Sequence, residues 1–186
     1  MYQTIRLILQ SGIRTERPPG ADEALRVTAQ RLRRTVLATF NGALAIRHVD
    51  AGSCNGCELE INALTNPYYN LERLGIHFVA SPRHADMLLV TGPVSRHMMT
   101  ALKRTYDATP EPKLVVAVGD CGCTGGIFGE SYASCGRIAN VIPVDVAVPG
   151  CPPTPVALMQ GILTAISGKS ADSAQSVPNS ALESVV

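Results

Sequence analysis

The chain has 186 residues, a formal net charge of +1, 17% charged residues and 46% hydrophobic residues. That length suits one globular domain with a sizeable core, and so balanced a charge argues against nucleic acid as a partner, because a phosphate-binding surface carries a basic excess. No stretch approaches the roughly 20 apolar residues of a bilayer span, and the start lacks the basic region and cleavage site of a signal peptide, so a cytoplasmic location is expected.

Residues 1–20, ending in Arg17-Pro18-Pro19-Gly20, read as an N-terminal extension. Residues 21–40 predict an amphipathic helix, with Leu25, Ala29, Leu32 and Val36 on one side. Arg26, Arg31, Arg33 and Arg34 make the rest of that helix basic. Such a face is either a solvated surface of its own domain or a contact with a partner subunit or an anionic lipid surface.

Residues 41–168 then read as an α/β domain. Strands are predicted at Leu44–Val49, His77–Ala80, Met87–Thr91, Leu114–Val118 and Val144–Val148, and helices at 58–64, 97–106 and 152–167. Apolar strands bounded by Gly and Pro and alternating with helices indicate a mostly parallel sheet covered on both faces. Ligands of such domains gather in loops beyond the carboxyl ends of the strands. The Ser/Ala-rich residues 169–186 predict a flexible tail.

Three cysteine groups each follow a predicted strand. They are Cys54-Asn-Gly-Cys57, Gly119-Asp-Cys121-Gly-Cys123 and Pro149-Gly-Cys151-Pro152. A reducing cytosol disfavours structural disulfides among the six cysteines, and loops at one sheet edge can bring distant thiols together. A cubane iron–sulfur cluster takes four thiolates, supplied here by Cys54, Cys57, Cys151 and either Cys121 or Cys123. Cys-x-x-Cys also occurs in structural zinc sites, so a zinc-stabilised, non-catalytic subunit is the alternative of another class. The leftover thiols, Cys135 and one of the middle pair, read as buried small hydrophobes.

At these loops the sequence resembles the small subunit of membrane-bound group 4 [NiFe] hydrogenases of the formate hydrogenlyase type. It resembles more distantly the 20 kDa cluster subunit of respiratory complex I. The likeness runs from about Arg47 to Ser167 and includes Cys54-Asn-Gly-Cys57-Glu-Leu-Glu60, Ser81-Pro-Arg-His-Ala-Asp86, Gly125-Gly-Ile-Phe128, Ile142-Pro-Val-Asp-Val146 and Pro149-Gly-Cys-Pro-Pro-Thr-Pro155. It implies a flavodoxin-like domain holding one [4Fe–4S] cluster. The family's third ligand stands four positions before a Gly-Gly pair, which selects Cys121 ahead of Gly125-Gly126. The implied ligands are therefore Cys54, Cys57, Cys121 and Cys151.

The resemblance further implies an electron relay that is not catalytic alone. Its expected partners are a hydrogenase large subunit, a ferredoxin-like iron–sulfur subunit and membrane-arm subunits, on the cytoplasmic face of the inner membrane. Complex I subunits carry adjacent cysteines at the first motif, so Cys54-x-x-Cys57 favours the hydrogenase branch. The alternative is a complex I-like quinone oxidoreductase with a 49 kDa-like partner. Glu58 and Glu60 follow the second ligand and are either proton-handling groups or carboxylates meeting a helix dipole. Arg83 and His84 either line the interface or tune the cluster, or belong to an ordinary polar loop.

Overall fold

Five aliphatic stretches pair into one sheet: β1 (Leu44–Asp50), β2 (Ile76–Phe78), β3 (Met87–Thr91), β4 (Leu114–Val118) and β5 (Val146–Val148). The structure, a computed structural model, describes residues 2–11, 22–40 and 43–175. All neighbouring strands run parallel, in the order β2-β1-β3-β4-β5. That order is the flavodoxin-like one, so the α/β expectation holds. Every residue of β3 and β4 is buried, which is why both read as unbroken apolar runs rather than as alternating ones.

The helices are α1 (Tyr2–Ser11), α2 (Glu23–Thr39), α3 (Gly56–Ala63), α4 (Arg96–Ala108), α5 (Gly119–Thr124) and α6 (Pro155–Gln175). On one face α2 and α6 cover the sheet, and Leu32, Val36, Leu158 and Ile162 pack with Leu44 and Ile46. On the other face Leu102 of α4 and Ile138 pack with Leu88, Val90 and Val115. Burying one such aliphatic side chain is worth about 1.5–3 kcal/mol. α2 starts where the Asp22 carboxylate accepts hydrogen bonds from Ala24 N and Leu25 N, at 3.0 and 3.2 Å, an N-cap that satisfies otherwise orphan donors. Pro155 opens α6, where its missing N–H costs nothing.

Several boundaries move. α3 begins at Gly56 rather than Glu58, so Cys57 sits inside its first turn. β5 begins at Val146 rather than Val144. Asp145 already closes that end, its N–H donating to Val115 O (2.9 Å) and its carboxylate accepting from Val115 N (2.6 Å). α6 continues to Gln175, through residues expected to belong to the tail. Gly168 costs a helix only about 1 kcal/mol, and no proline follows it before Gln175 to stop the turn. Residues 176–186 lie outside the described residues, as does most of the segment joining α1 to α2. α1 itself is a helix within the expected extension.

Candidate functional site

Because the sheet is parallel, its carboxyl edge collects the loops that leave β1, β4 and β5. Cys54 and Cys57 follow β1, Cys121 lies in α5 directly after β4, and Cys151 follows β5. The four side chains line one small cavity together with Gly56, Gly150 and Pro152. These are the four thiols expected as ligands.

The loops are held by their own polar groups. Asp50 Oδ1 accepts from Gly52 N (2.8 Å) and Ser53 N (2.7 Å). Ser53 Oγ accepts from Asn55 N (3.0 Å) and donates to Glu58 Oε2 (2.5 Å). Asn55 adopts a left-handed conformation, φ 72°, as it turns the chain into α3, a conformation Asn tolerates better than most residues. The other two ligand loops are joined reciprocally: Asp120 N donates to Gly150 O (2.9 Å) and Asp120 Oδ1 accepts from Gly150 N (2.8 Å). Each partner in this pair is the residue just before a thiol.

α5 also separates the two middle cysteines. Positions two apart on a helix point about 200° apart, so Cys121 reaches the cavity while Cys123 packs inward against the second core. Cys123 Sγ lies 3.6 Å from Ala117 O. Cys135 is buried, its sulfur 3.8 Å from Met99 Sδ. Both read as interior thiols away from the cavity.

Electrostatics tie the four together. Burial pushes the Cys57 thiol up to about 12, and the carboxylate of Glu58 and then Cys54, Cys121 and Cys151 push it the same way. Burial also raises Cys121, with Cys151, Cys54 and Asp120 adding to it. Thiolates that raise one another's pKa stay deprotonated together only around a positive centre. Among the described residues no group of three or more His, Cys, Asp or Glu side chains is arranged to hold a metal ion; the thiols ring a cavity instead.

The backbone around that cavity fits an iron–sulfur group. A Cβ on Gly119 would stand 2.7 Å from Cys57 Sγ, and one on Gly126 would stand 2.8 Å from Cys121 Sγ. Both positions have positive φ, so glycine supplies the conformation and the clearance at once. Soft thiolate donors select iron–sulfur clusters, zinc or copper(I) over hard cations.

Glu58 is not on the surface. It is 8% exposed, held by Ser53, and its Oε1 is buried without a hydrogen bond, 3.6 Å from His48 Nε2. Thr91 Oγ1 donates to Val49 O (3.4 Å) and so accepts from His48 Nε2 (3.1 Å). Burial holds His48 below the usual imidazole value, against the pull of the Glu58 and Asp50 carboxylates. Glu60 is half-buried on α3. Arg83 and His84 lie in a 3-10 turn just before β3 and are exposed. They stand at the amino edge of the sheet, opposite the thiols. Sequence reasoning passed over Asp50, Ser53 and Asp120. Their only signal was an Asp or Ser beside Gly after a strand, the composition of an Asx or ST turn.

The family described as NADH ubiquinone oxidoreductase, 20 Kd subunit, matches residues 54–165, from the first thiol past the last. The chain belongs to this family. A relative within it is the probable membrane-bound hydrogenase subunit mbhJ of Pyrococcus furiosus, 50% identical over 119 residues, 64% of this chain and 71% of the relative. Formate hydrogenlyase subunit 7 of Escherichia coli is 43% identical over 135 residues, 73% of this chain, and the matched part spans about half of that protein (53%). Among solved structures, a chain of the archaeal membrane-bound sulfane sulfur reductase, a respiratory membrane complex, superposes with a TM-score of 0.61 at 35% identity, covering 73% of this chain and 77% of that one. These relatives are subunits of oxidoreductase complexes, and this chain is a subunit of that kind. Among its described residues no helix is long and apolar enough to cross a membrane.

Proposed function

We propose that the chain holds one [4Fe–4S] cluster on Cys54, Cys57, Cys121 and Cys151 and relays electrons between a ferredoxin-like subunit and the [NiFe] site of a hydrogenase large subunit. The observation that carries this reading is the convergence of four thiols from three separate loops on one cavity. A bound cluster would supply a one-electron redox couple. The chain's own residues do the rest. The thiolates bind, the Asp50 and Asp120 hydrogen bonds fix their spacing, and Cys57 sits half-buried at the inner side of the group.

The partners fit the same edge. Leu59 follows the Cys57 turn, and Ile127 and Phe128 follow Gly126; all three are exposed, Ile127 at 94%. Exposed apolar groups of this kind mark a protein interface, and we assign this one to the large subunit. Membrane-arm subunits complete a complex on the cytoplasmic face of the inner membrane. The hydrogenase branch draws on the Cys54-x-x-Cys57 form and on the hydrogenase and formate hydrogenlyase relatives. We also propose a proton-handling role for Glu58 and Glu60, supported for Glu58 by a buried Oε1 that makes no hydrogen bond and faces His48 Nε2 at 3.6 Å. Unchanged turnover in Glu58→Gln and Glu60→Gln would remove that role.

Anaerobic purification tests the central proposal. A brown protein with about four irons and four acid-labile sulfides, EPR-active on reduction, is expected. A colourless, EPR-silent protein holding zinc would overturn it. Large-subunit cysteine pairs near both of its ends would support the [NiFe] assignment, and their absence would move the chain to the quinone or sulfur-reducing branches.

A further inference from the structure

A second site lies away from the thiols. A cleft of about 550 Å³ runs between α2 and the segment 67–74, within the range of small-ligand pockets. Arg26, Arg33 and Leu25 line one wall, and Arg73, Tyr68 and Leu74 the other. Guanidinium groups therefore face the cleft from both sides over an apolar strip. The acidic groups at its end are engaged: Asp22 caps α2 through Oδ1, and Glu23 pairs with Arg26 at 3.2 Å. Tyr68 is exposed and meets Tyr69 edge to face, with ring centroids 4.9 Å apart.

This combination selects an anionic amphiphile. Guanidinium forks suit phosphate oxygens, which they bind bidentately. A tyrosine presents an apolar body and a polar tip, as residues at a membrane–water boundary do. An independent observation points to the same surroundings. α1 exposes Tyr2, Ile5 and Leu9, which fall on one helical stripe, with Arg6 exposed beside them. An exposed aromatic and aliphatic stripe beside an arginine suits the headgroup layer, and the chain from α1 enters α2 at Asp22, on the rim of the cleft.

We propose that the cleft binds the phosphodiester headgroup of an anionic phospholipid at the membrane surface. The proposal does not depend on the cluster, because its test reads lipid binding and no electron transfer. The full chain is co-sedimented with vesicles of phosphatidylcholine alone and of phosphatidylcholine with phosphatidylglycerol, at physiological salt. Binding at least about ten-fold stronger to the mixed vesicles is expected, since each Arg near an anionic surface contributes about 1 kcal/mol. Arg33→Gln/Arg73→Gln should lose most of that preference, while Arg31→Gln/Arg34→Gln, equal in charge but outside the cleft, should keep most of it.

Circular dichroism confirms that both variants fold; all four arginines are exposed, so no core contact is removed. A soluble short-chain phosphatidylglycerol should compete, and inorganic phosphate at millimolar concentration should not. Equal losses in the two double variants would reduce the effect to diffuse charge and overturn the proposal. Full displacement by inorganic phosphate, or no preference for anionic vesicles, would overturn it as well.

Discussion

The thiol edge and the α2 cleft put polar groups to opposite uses. At the edge polar side chains are spent on loop backbone: Asp50 on Gly52 and Ser53 and Ser53 on Asn55 within one loop, and Asp120 on Gly150 across two. In the cleft the arginines stand exposed on a helix and a short turn, and Arg26 reaches only Glu23, within its own helix. Four atoms that must meet one inorganic group need fixed spacing. A headgroup of the kind proposed for the cleft would need guanidinium groups on both walls, but no rigid cage around it.

The largest break in this contrast should come from the sulfurs themselves. Cys57→Ala or Cys121→Ala should drop bound iron from about four per chain to near zero, whereas Cys123→Ala and Cys135→Ala should keep it. Iron and sulfide analysis of all four variants decides the matter, and a loss in Cys123→Ala would unseat the assignment of Cys121. Next in size is the link between loops. Asp120→Ala removes a carboxylate–amide hydrogen bond, which costs about 1.5–3 kcal/mol. Asp120→Asn keeps an acceptor and should recover part of that stability. Urea unfolding and the rate of cluster loss should move together across the two variants.

How far the sequence reached depends on the kind of signal. Met87–Thr91 and Leu114–Val118 were located to the residue because strands buried on both faces are written as continuous apolar runs. The end of α6 was misplaced because Ser/Ala-rich composition resembles a tail, while nothing after Gly168 forces the helix to stop. At the site, spacing identified three thiols and left a choice for the fourth. The family resemblance selected Cys121 through the Gly125-Gly126 register, and the physical ground for it, helix phase in α5, is encoded too faintly in a six-residue element to read from periodicity. The Asp120–Gly150 pair was invisible because its partners are 30 residues apart and no periodicity relates them.

A subtler change comes from pH. His48 is depressed by burial, so it stays neutral in the fold at neutral pH. Its contribution to stability is present above its ordinary value of 6.5 and is lost as pH falls through and below that value. The urea midpoint of the chain should therefore decline on acidification, and His48→Gln should flatten the decline. The smallest effect should come from the cleft. Arg26→Ala breaks only an exposed i,i+3 pair and should alter stability by less than about 0.5 kcal/mol. A larger loss there would show that the cleft is built as tightly as the edge.

The order of the strands also sets a schedule. Cys54 and Cys57 emerge early during synthesis, yet the loop carrying Cys151 takes its place only when β5 has docked beside β4. No shorter stretch of nascent chain presents all four sulfurs. On the proposed ligand set, a cluster would therefore find its complete site only on a finished sheet, never on a growing one.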